Sequence, residues 1–506
     1  MRARAAIPVF LSGVLFSFAW MGPPIAKSQP TPSAQTPVAS NSPSASPSAS
    51  SAAPDSRLQR AVDKLAATIQ GYGGTLGAYV VDIPSGKVLA SHAPTVPLNP
   101  ASNMKLVTAA AALWKLSAHH TYRTALYGRR NGTAIDDLVL RGYGDPSLAT
   151  KDLWELANGL GRSGIKRVTG DVLVDQSFFD DAFVPPGFEQ QPDEWAYFRA
   201  PVSAVALDAN TVTMHVSPTR SGDPAWVTFA PSGFVDVAGR VTTGPGGSTQ
   251  NVTLSLAPAE GRLRAQVGGA IPEDSSRLRV TQRVDDPTLC AGHVLRALLA
   301  EQGIKVDGRV RAGGEKASKL LVMHRSDRLA NLLERLGKDS DNFYAEMVFK
   351  SLAGGSKRRG LTAESGAEVA RAYLQSIGAF DDGTVLRNGS GLFDTNRLTA
   401  RSLGVVLRSA YQDPDMQAEY LRHLSVGGED GTLRWRFRDK ACKGRVRAKT
   451  GTLASVTSLS GYVLSEGKGG PVGFAIIVNG VAGKVPGARE AIDQCVRTIA
   501  RERREN

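Results

Sequence analysis

Ser102 and Lys105 stand three residues apart at the head of "PASNMKLVTAAAALW" (residues 100–114), a segment that is otherwise apolar beyond the lysine. A spacing of i and i+3 sets two side chains on one face of a helix. Leu106, Val107, the alanines from Ala109 to Ala112 and Leu113 mark that helix for burial. An amine drawn into such a core loses its hydration, which disfavours the charged form and lowers the pKa. A serine hydroxyl beside an amine that can be neutral is a nucleophile next to its base. The plainer reading makes Ser102 a helix N-cap and sends Lys105 out to water.

Two other Ser-x-x-Lys matches, Ser163/Lys166 in "GRSGIKRVTG" and Ser465/Lys468 in "LSEGKGG", lie in glycine-rich polar stretches where a lysine stays solvated. Two further motifs set Ser102 apart. "KDSDNFYAEMVF" holds Ser340-Asp341-Asn342, and "RAKTGTLASV" holds Lys449-Thr450-Gly451 followed by Thr452. The trio S-x-x-K, S-D-N, K-T-G, in that order, resembles the active-site set of class A β-lactamases and penicillin-binding proteins. In that chemistry Ser102 attacks a carbonyl and Lys105 takes its proton. Burial, the positive end of its helix and the charge of Lys449 would all keep Lys105 neutral. Ser340 relays the proton to the leaving amine, and Asn342 positions Lys105 and the substrate amide. The N–H groups of Ser102 and Thr452 hold the oxyanion, and Gly451 lets its strand approach the substrate closely. Lys449 with the hydroxyls of Thr450 and Thr452 would seat a terminal carboxylate, which favours a carboxypeptidase.

Other chemistries fail on inspection. There is no Gly-x-Ser-x-Gly elbow, and the seven histidines form no His-Glu-x-x-His or other close metal pair, so neither a metal nor a cofactor is expected. Glycine runs such as "GYGGTLG" read as turns. The net charge of +13 comes from scattered basic residues without an aromatic-basic motif, which excludes a nucleic-acid partner and suits an anionic envelope.

These motifs need a frame that brings them together. A helix is expected near Ser56–Tyr72 from Leu58, Val62, Leu65 and Ile69, and two strands within Gly77–Ala93. "RVRAKTGTL" and "VTSLSGYVLSEGKGGPVGFAIIVNG" read as three antiparallel strands, ahead of a last helix near Gly487–Glu502. One antiparallel sheet drawn from both chain ends, with helices packed on it, makes an α+β fold. We expect a catalytic domain of residues 56–121 and 286–506, the latter opening with a helix in Pro287–Ile304. Between them, residues 122–285 form a strand-rich insertion of two small domains.

Arg2 and Arg4, an apolar run to Met21 and a small-residue exit near Ala26 read as a secretory signal, residues 1–26. Residues 27–55, rich in Ser, Pro and Ala, read as a flexible tether. No later run has transmembrane length, so an exported chain, periplasmic or otherwise outside the cytoplasm, is expected, either soluble or loosely membrane-associated. Cys442 and Cys495 could pair in an oxidising compartment; buried free thiols are the alternative, as for Cys290.

From about residue 57 to 500 the chain resembles peptidase family S13, the D-alanyl-D-alanine carboxypeptidase/endopeptidases of penicillin-binding type. Ser102 and Ser340 lie 238 positions apart (340 − 102), room for the extra region that this family carries between its first two motifs. "LRGYGDPSL", "FRAPVSAVALDAN", "NGSGLFDTNRLT" and "GGEDGTLRWRF" also look like the family. The resemblance implies a β-lactamase/transpeptidase-like domain, peptidoglycan stem peptides as substrate and acylation by β-lactams. Removal of terminal D-alanine is the implied reaction, with D,D-endopeptidase activity as an addition. It also implies that Asp193 and Phe198 receive the far end of the stem-peptide side chain. Asp394 stands after "GSGLF" where the family commonly carries arginine, and an acid there would repel a carboxylate. A serine β-lactamase, or an inactive cell-wall binding protein of the same fold, are the alternatives.

Overall fold

A computed structural model describes residues 56–314, 319–355, 359–465 and 470–505. The expected signal and tether, and Lys468, lie outside the described residues. The central element is a six-stranded antiparallel sheet. Its order is Ser425–Val426, Val446–Leu453, Val456–Val463, Val472–Asn479, Thr75–Asp82 and Val88–His92. The two chain ends join in register from Thr75 opposite Asn479 to Asp82 opposite Val472. The sheet expected from both ends is therefore present.

Both faces of this sheet are buried, so Val472–Asn479 reads as a near-continuous apolar run, while Val456–Val463 buries Thr457, Ser458 and Ser460 among its apolar residues. Successive side chains point to opposite faces. Ile476 and Val478 pack with Leu58, Val62 and Ile69 of the helix Ser56–Gly71 and with Ile492 and Val496 of the helix Val485–Glu505. Ala475 and Ile477 belong to the opposite core, with Leu106 and Val107 of the helix Met104–Leu116 and Leu403 and Val406 of Ala400–Gln412. The Ser102 turn thus packs directly on the strands Val446–Leu453, which carries Lys449, and Val456–Val463, while its helix runs on among other helices, Ala400–Gln412 lying between it and the sheet.

The region between the first two motifs differs from the expectation in two ways. It holds a helix, Thr150–Arg162, whose Leu153, Leu156, Ala157 and Leu160 form a buried stripe. It also runs further. Strands Lys305–Val306, Val310–Ala312 and Lys319–Arg325 complete a seven-stranded sheet with Arg123–Asn131, Ala134–Gly142, Arg167–Val168 and Val172–Asp175. The helix Cys290–Glu301 packs in that second core through Cys290, Val294, Leu295 and Leu299, not against the six-stranded sheet. Its apolar face fits either core, so only strand pairing decides its side. Two three-stranded sheets, Val235–Gly239 with Thr253–Ala259 and Arg262–Gly268, and Thr211–Ser217 with Trp226–Ala230 and Leu278–Arg283, and a parallel pair, Thr242–Gly244 with Ala270–Pro272, make up the rest of its strand-rich part.

Cys290, Cys442 and Cys495 are all buried and unbonded. Burial pushes the Cys442 and Cys495 thiols up to about 12, which keeps them protonated and inert.

Candidate active site

The three motifs converge through local devices that each segment supplies. Ser102 sits in a short 3-10 turn, Ala101–Asn103, that feeds the helix Met104–Leu116. The turn is anchored to the sheet by a reciprocal pair: Asn99 N–H donates to Asn479 Oδ1 and Asn479 Nδ2 donates to the Asn99 carbonyl, both at 2.9 Å. Asn99 Oδ1 accepts from the Ala101 N–H at 2.8 Å. Ser340 takes a left-handed conformation, φ 58°. Asp341 then caps the helix Asn342–Ser351 by accepting from the Tyr344 N–H at 3.1 Å. That cap starts the helix at Asn342 and aims its side chain inward.

Lys105 is fully buried, and its Nζ donates to Ser102 Oγ at 3.1 Å, Asn342 Oδ1 at 2.8 Å and the Ser390 carbonyl at 2.8 Å. The solvated, capping reading of this pair does not describe the structure. Lys449, equally buried, donates to Ser340 Oγ and to the Thr450 carbonyl, both at 2.8 Å. The Lys449 carbonyl accepts from Asn103 Nδ2 at 2.8 Å, which ties the strand to the Ser102 turn. Close backbone approach depends on two glycines. A Cβ at Gly451 would lie 2.2 Å from Ser458 Oγ and 3.0 Å from the Pro100 carbonyl; one at Gly391 would lie 1.9 Å from the Ala101 carbonyl. Of the competing Ser-x-x-Lys pairs, Ser163 caps the end of a surface helix and Lys166 is exposed.

Burial lowers the Lys105 pKa to about 7, against the opposing charges of Glu346 and Asp341. Burial is the largest cause, as expected. Burial first and the charge of Lys105 second hold Lys449 well below its ordinary value, and that repulsion acts on both amines. A hydroxyl in contact with an amine balanced near neutrality can lose its proton to that amine.

Several residues of the site lie outside the three motifs. Glu346 accepts from the Gly389 and Ser390 N–H groups at 2.9 and 2.8 Å, fixing the carbonyl that receives Lys105. Its signal was present: it lies four residues after Asn342, on the same helical face. Thr450 Oγ1 donates to Thr432 Oγ1 at 3.0 Å, within the "GGEDGTLRWRF" segment. Thr452 Oγ1 accepts from Arg489 Nη2 at 3.5 Å. The carbonyl of Phe198 accepts from Asn342 Nδ2 at 3.2 Å, and Phe198 lines a cavity of about 580 Å³ with Ser340, Asn342, Tyr344, Arg335 and Asp208. Asp193 is exposed and is not among the residues lining that cavity. Asp394 is not a bare negative charge: Arg397 Nη1 donates to it at 2.6 Å and Asn99 Nδ2 at 3.0 Å.

A sheet flanked by helices, with a serine, two buried lysines and an asparagine at one helix–sheet seam, defines an acyl-transferring serine hydrolase of β-lactamase/transpeptidase-like fold. The D-Ala-D-Ala carboxypeptidase 3 (S13) family matches residues 58–501, and the chain belongs to it. A D-alanyl-D-alanine carboxypeptidase of Actinomadura sp. is 35% identical over 435 residues, covering 82% of this chain and 79% of that protein. D-alanyl-D-alanine carboxypeptidase DacB of Haemophilus influenzae is 25% identical over 415 residues, covering 81% and 86%. The crystal structure of Haemophilus influenzae penicillin binding protein 4 (dacB) shares the fold, with a TM-score of 0.73, 24% identity and 86% and 98% of the two chains covered. That protein has also been crystallised in complex with a β-lactam. The chain is accordingly a D-Ala-D-Ala carboxypeptidase of the serine type. No helix among the described residues is long and apolar enough to cross a membrane.

Proposed function

We propose that the chain removes the terminal D-alanine from peptidoglycan stem peptides through an acyl-enzyme on Ser102. The observation that carries this reading is the contact of Ser102 Oγ with a fully buried amine whose pKa lies near 7. Ser102 Oγ attacks the carbonyl carbon between the two D-alanines while its proton passes to Lys105 Nζ. The oxyanion is held by the N–H groups of Ser102 and Thr452. Ser340, hydrogen-bonded to Lys449, delivers a proton to the departing amine, and D-alanine leaves as the acyl ester forms. Water then cleaves the ester and regenerates Ser102. Asn342 orients both Lys105 and the substrate amide.

The leaving D-alanine carries a carboxylate, and Lys449, Thr450 and Thr452 form its seat. Burial disfavours the charged form of Lys449, and an arriving carboxylate restores it by opposite charge. Phe198 lines the pocket for the rest of the stem peptide. D,D-endopeptidase activity is the additional reaction of the same site. β-Lactams acylate Ser102 in the same way. We further propose export by residues 1–26, a tether over 27–55, and an inserted unit from residue 122 to Arg325 between the two parts of the catalytic unit.

The test is mass spectrometry of purified muropeptides before and after incubation with the protein. Loss of one alanine from pentapeptides is expected, and unchanged muropeptides would exclude the reading. A fluorescent penicillin separates the β-lactamase alternative: a stable adduct on Ser102 is expected, where rapid turnover would identify a β-lactamase.

Gly451→Val tests the strand approach. Its side chain displaces Ser458 and pushes the strand from the Ser102 turn, moving the Thr452 N–H off the oxyanion. Loss of one such donor costs on the order of 3 kcal/mol, or roughly a hundredfold in acylation rate. A rate within about threefold of wild type would show that the approach is not needed.

A further inference from the structure

Away from the catalytic seam, the segment from Asp145 to Glu155 and the distant strand carrying His324 bring four metal-ligating side chains together. Asp152 and Glu155 lie three residues apart on the first turns of the helix Thr150–Arg162, on one face. His324 comes from the edge strand Lys319–Arg325, opposite Thr124, which in turn stands opposite Gly142. Ligand atoms of Asp152, Glu155 and His324 lie within 4.8 Å of one another. The fourth group is Asp145, three residues beyond Gly142. Its carboxylate is 1% exposed, and Oδ1 accepts from the Ser147 N–H at 2.8 Å and the Ser147 hydroxyl at 2.6 Å. That grip turns Oδ2 toward His324 Nε2, 3.8 Å away, where it has no hydrogen-bond partner.

A buried carboxylate oxygen without a partner is costly unless a charge or donor meets it. Thr124 Oγ1 is a second buried oxygen without a partner, and as the cross-strand neighbour of His324 it shares its face of the sheet. Asp152 spends only Oδ2 on the Ala149 N–H, at 2.9 Å, which leaves Oδ1 to coordinate. We propose that Asp145, Asp152, Glu155 and His324 bind one divalent cation of the Zn2+ type, which pins the segment Tyr143–Ala149 to the edge strand. Imidazole nitrogen with carboxylate oxygens is a set for Zn2+, whereas Ca2+ takes oxygens alone. A tetrahedral Zn2+ with bonds of about 2.1 Å holds its ligands roughly 3.4 Å apart, so binding draws the four side chains together, and Glu155, exposed at the helix surface, has room to turn.

The consequence reaches the catalytic cavity without touching its chemistry. Pro146, Ser147, Leu148 and Ala149 line the 580 Å³ cavity opposite Ser340 and Asn342. A cation at their base fixes one wall of the space in which the stem peptide lies.

The experiment uses the purified full-length protein without an affinity tag, stripped with EDTA and titrated calorimetrically with ZnCl2 and, in parallel, CaCl2. One Zn2+ per chain is expected, bound at least tenfold more tightly than Ca2+, with a raised melting temperature. His324→Ala and Glu155→Gln should each weaken that binding at least tenfold. Glu155 is exposed, so its variant tests the site with the fold intact. Absence of saturable Zn2+ binding, binding undiminished in Glu155→Gln, or tighter binding of Ca2+ would each overturn the proposal.

Discussion

Ser102→Ala is expected to lower D-alanine release by about ten-thousandfold or more while leaving the fold intact. The side chain is small, only partly buried, and bonded through Oγ to Lys105 alone among the described contacts, so its loss leaves the packing of the turn unchanged. Removing the nucleophile of a serine hydrolase leaves only binding and oxyanion stabilisation, and the loss is typically of this size. Two measurements belong together: D-alanine released from a pentapeptide, and the covalent adduct with a labelled penicillin. Both should vanish, with an unaltered circular dichroism spectrum. Undiminished release by the variant would remove Ser102 from the mechanism and with it the acyl-enzyme.

The second large effect is on pH. Lys105 must be neutral to accept the Ser102 proton, and burial sets its pKa at about 7. A lowered amine pKa means that the neutral form prevails above that value and is lost below it. The acylation rate constant for a penicillin should therefore fall about tenfold per pH unit below pH ~7 and level off above it. Glu346 raises the Lys105 pKa, so Glu346→Gln should move the inflection to lower pH. Lost support of the Gly389 and Ser390 N–H groups would by itself lower the rate without shifting the inflection. A rate independent of pH between 5 and 9 would mean that another group takes the proton. Lys105→Ala should cost at least a thousandfold at every pH, because a residual lysine-free route has no base in contact with the hydroxyl.

Much of the site could be read without coordinates because its parts are local. Ser102 and Lys105 share a helical face by spacing alone. Asp341 is a recognisable cap, and the Gly451 strand announces itself by its pattern. The helix Thr150–Arg162 carries an equally local signal, Leu153, Leu156 and Leu160 on one face, although strands surround it in the chain. What could not be read was which surfaces meet. Glu346 and Thr432 join the site only because one helix and one loop are docked against the seam.

The amino-acid sequence by itself determined a serine and a lysine on one helical face, the order of the three motifs that resemble an active-site set, and the strands and helices at both ends of the chain. The elements and the Ser102–Lys105 pairing follow from residue type and short-range periodicity, which act within a few positions. Tertiary structure alone decided that the second sheet extends to Arg325, that burial lowers the Lys105 pKa to about 7, and that Asp152, Glu155 and His324 gather with Asp145 beside His324. Each of those depends on strand register and desolvation between residues far apart in the chain, which no local pattern records.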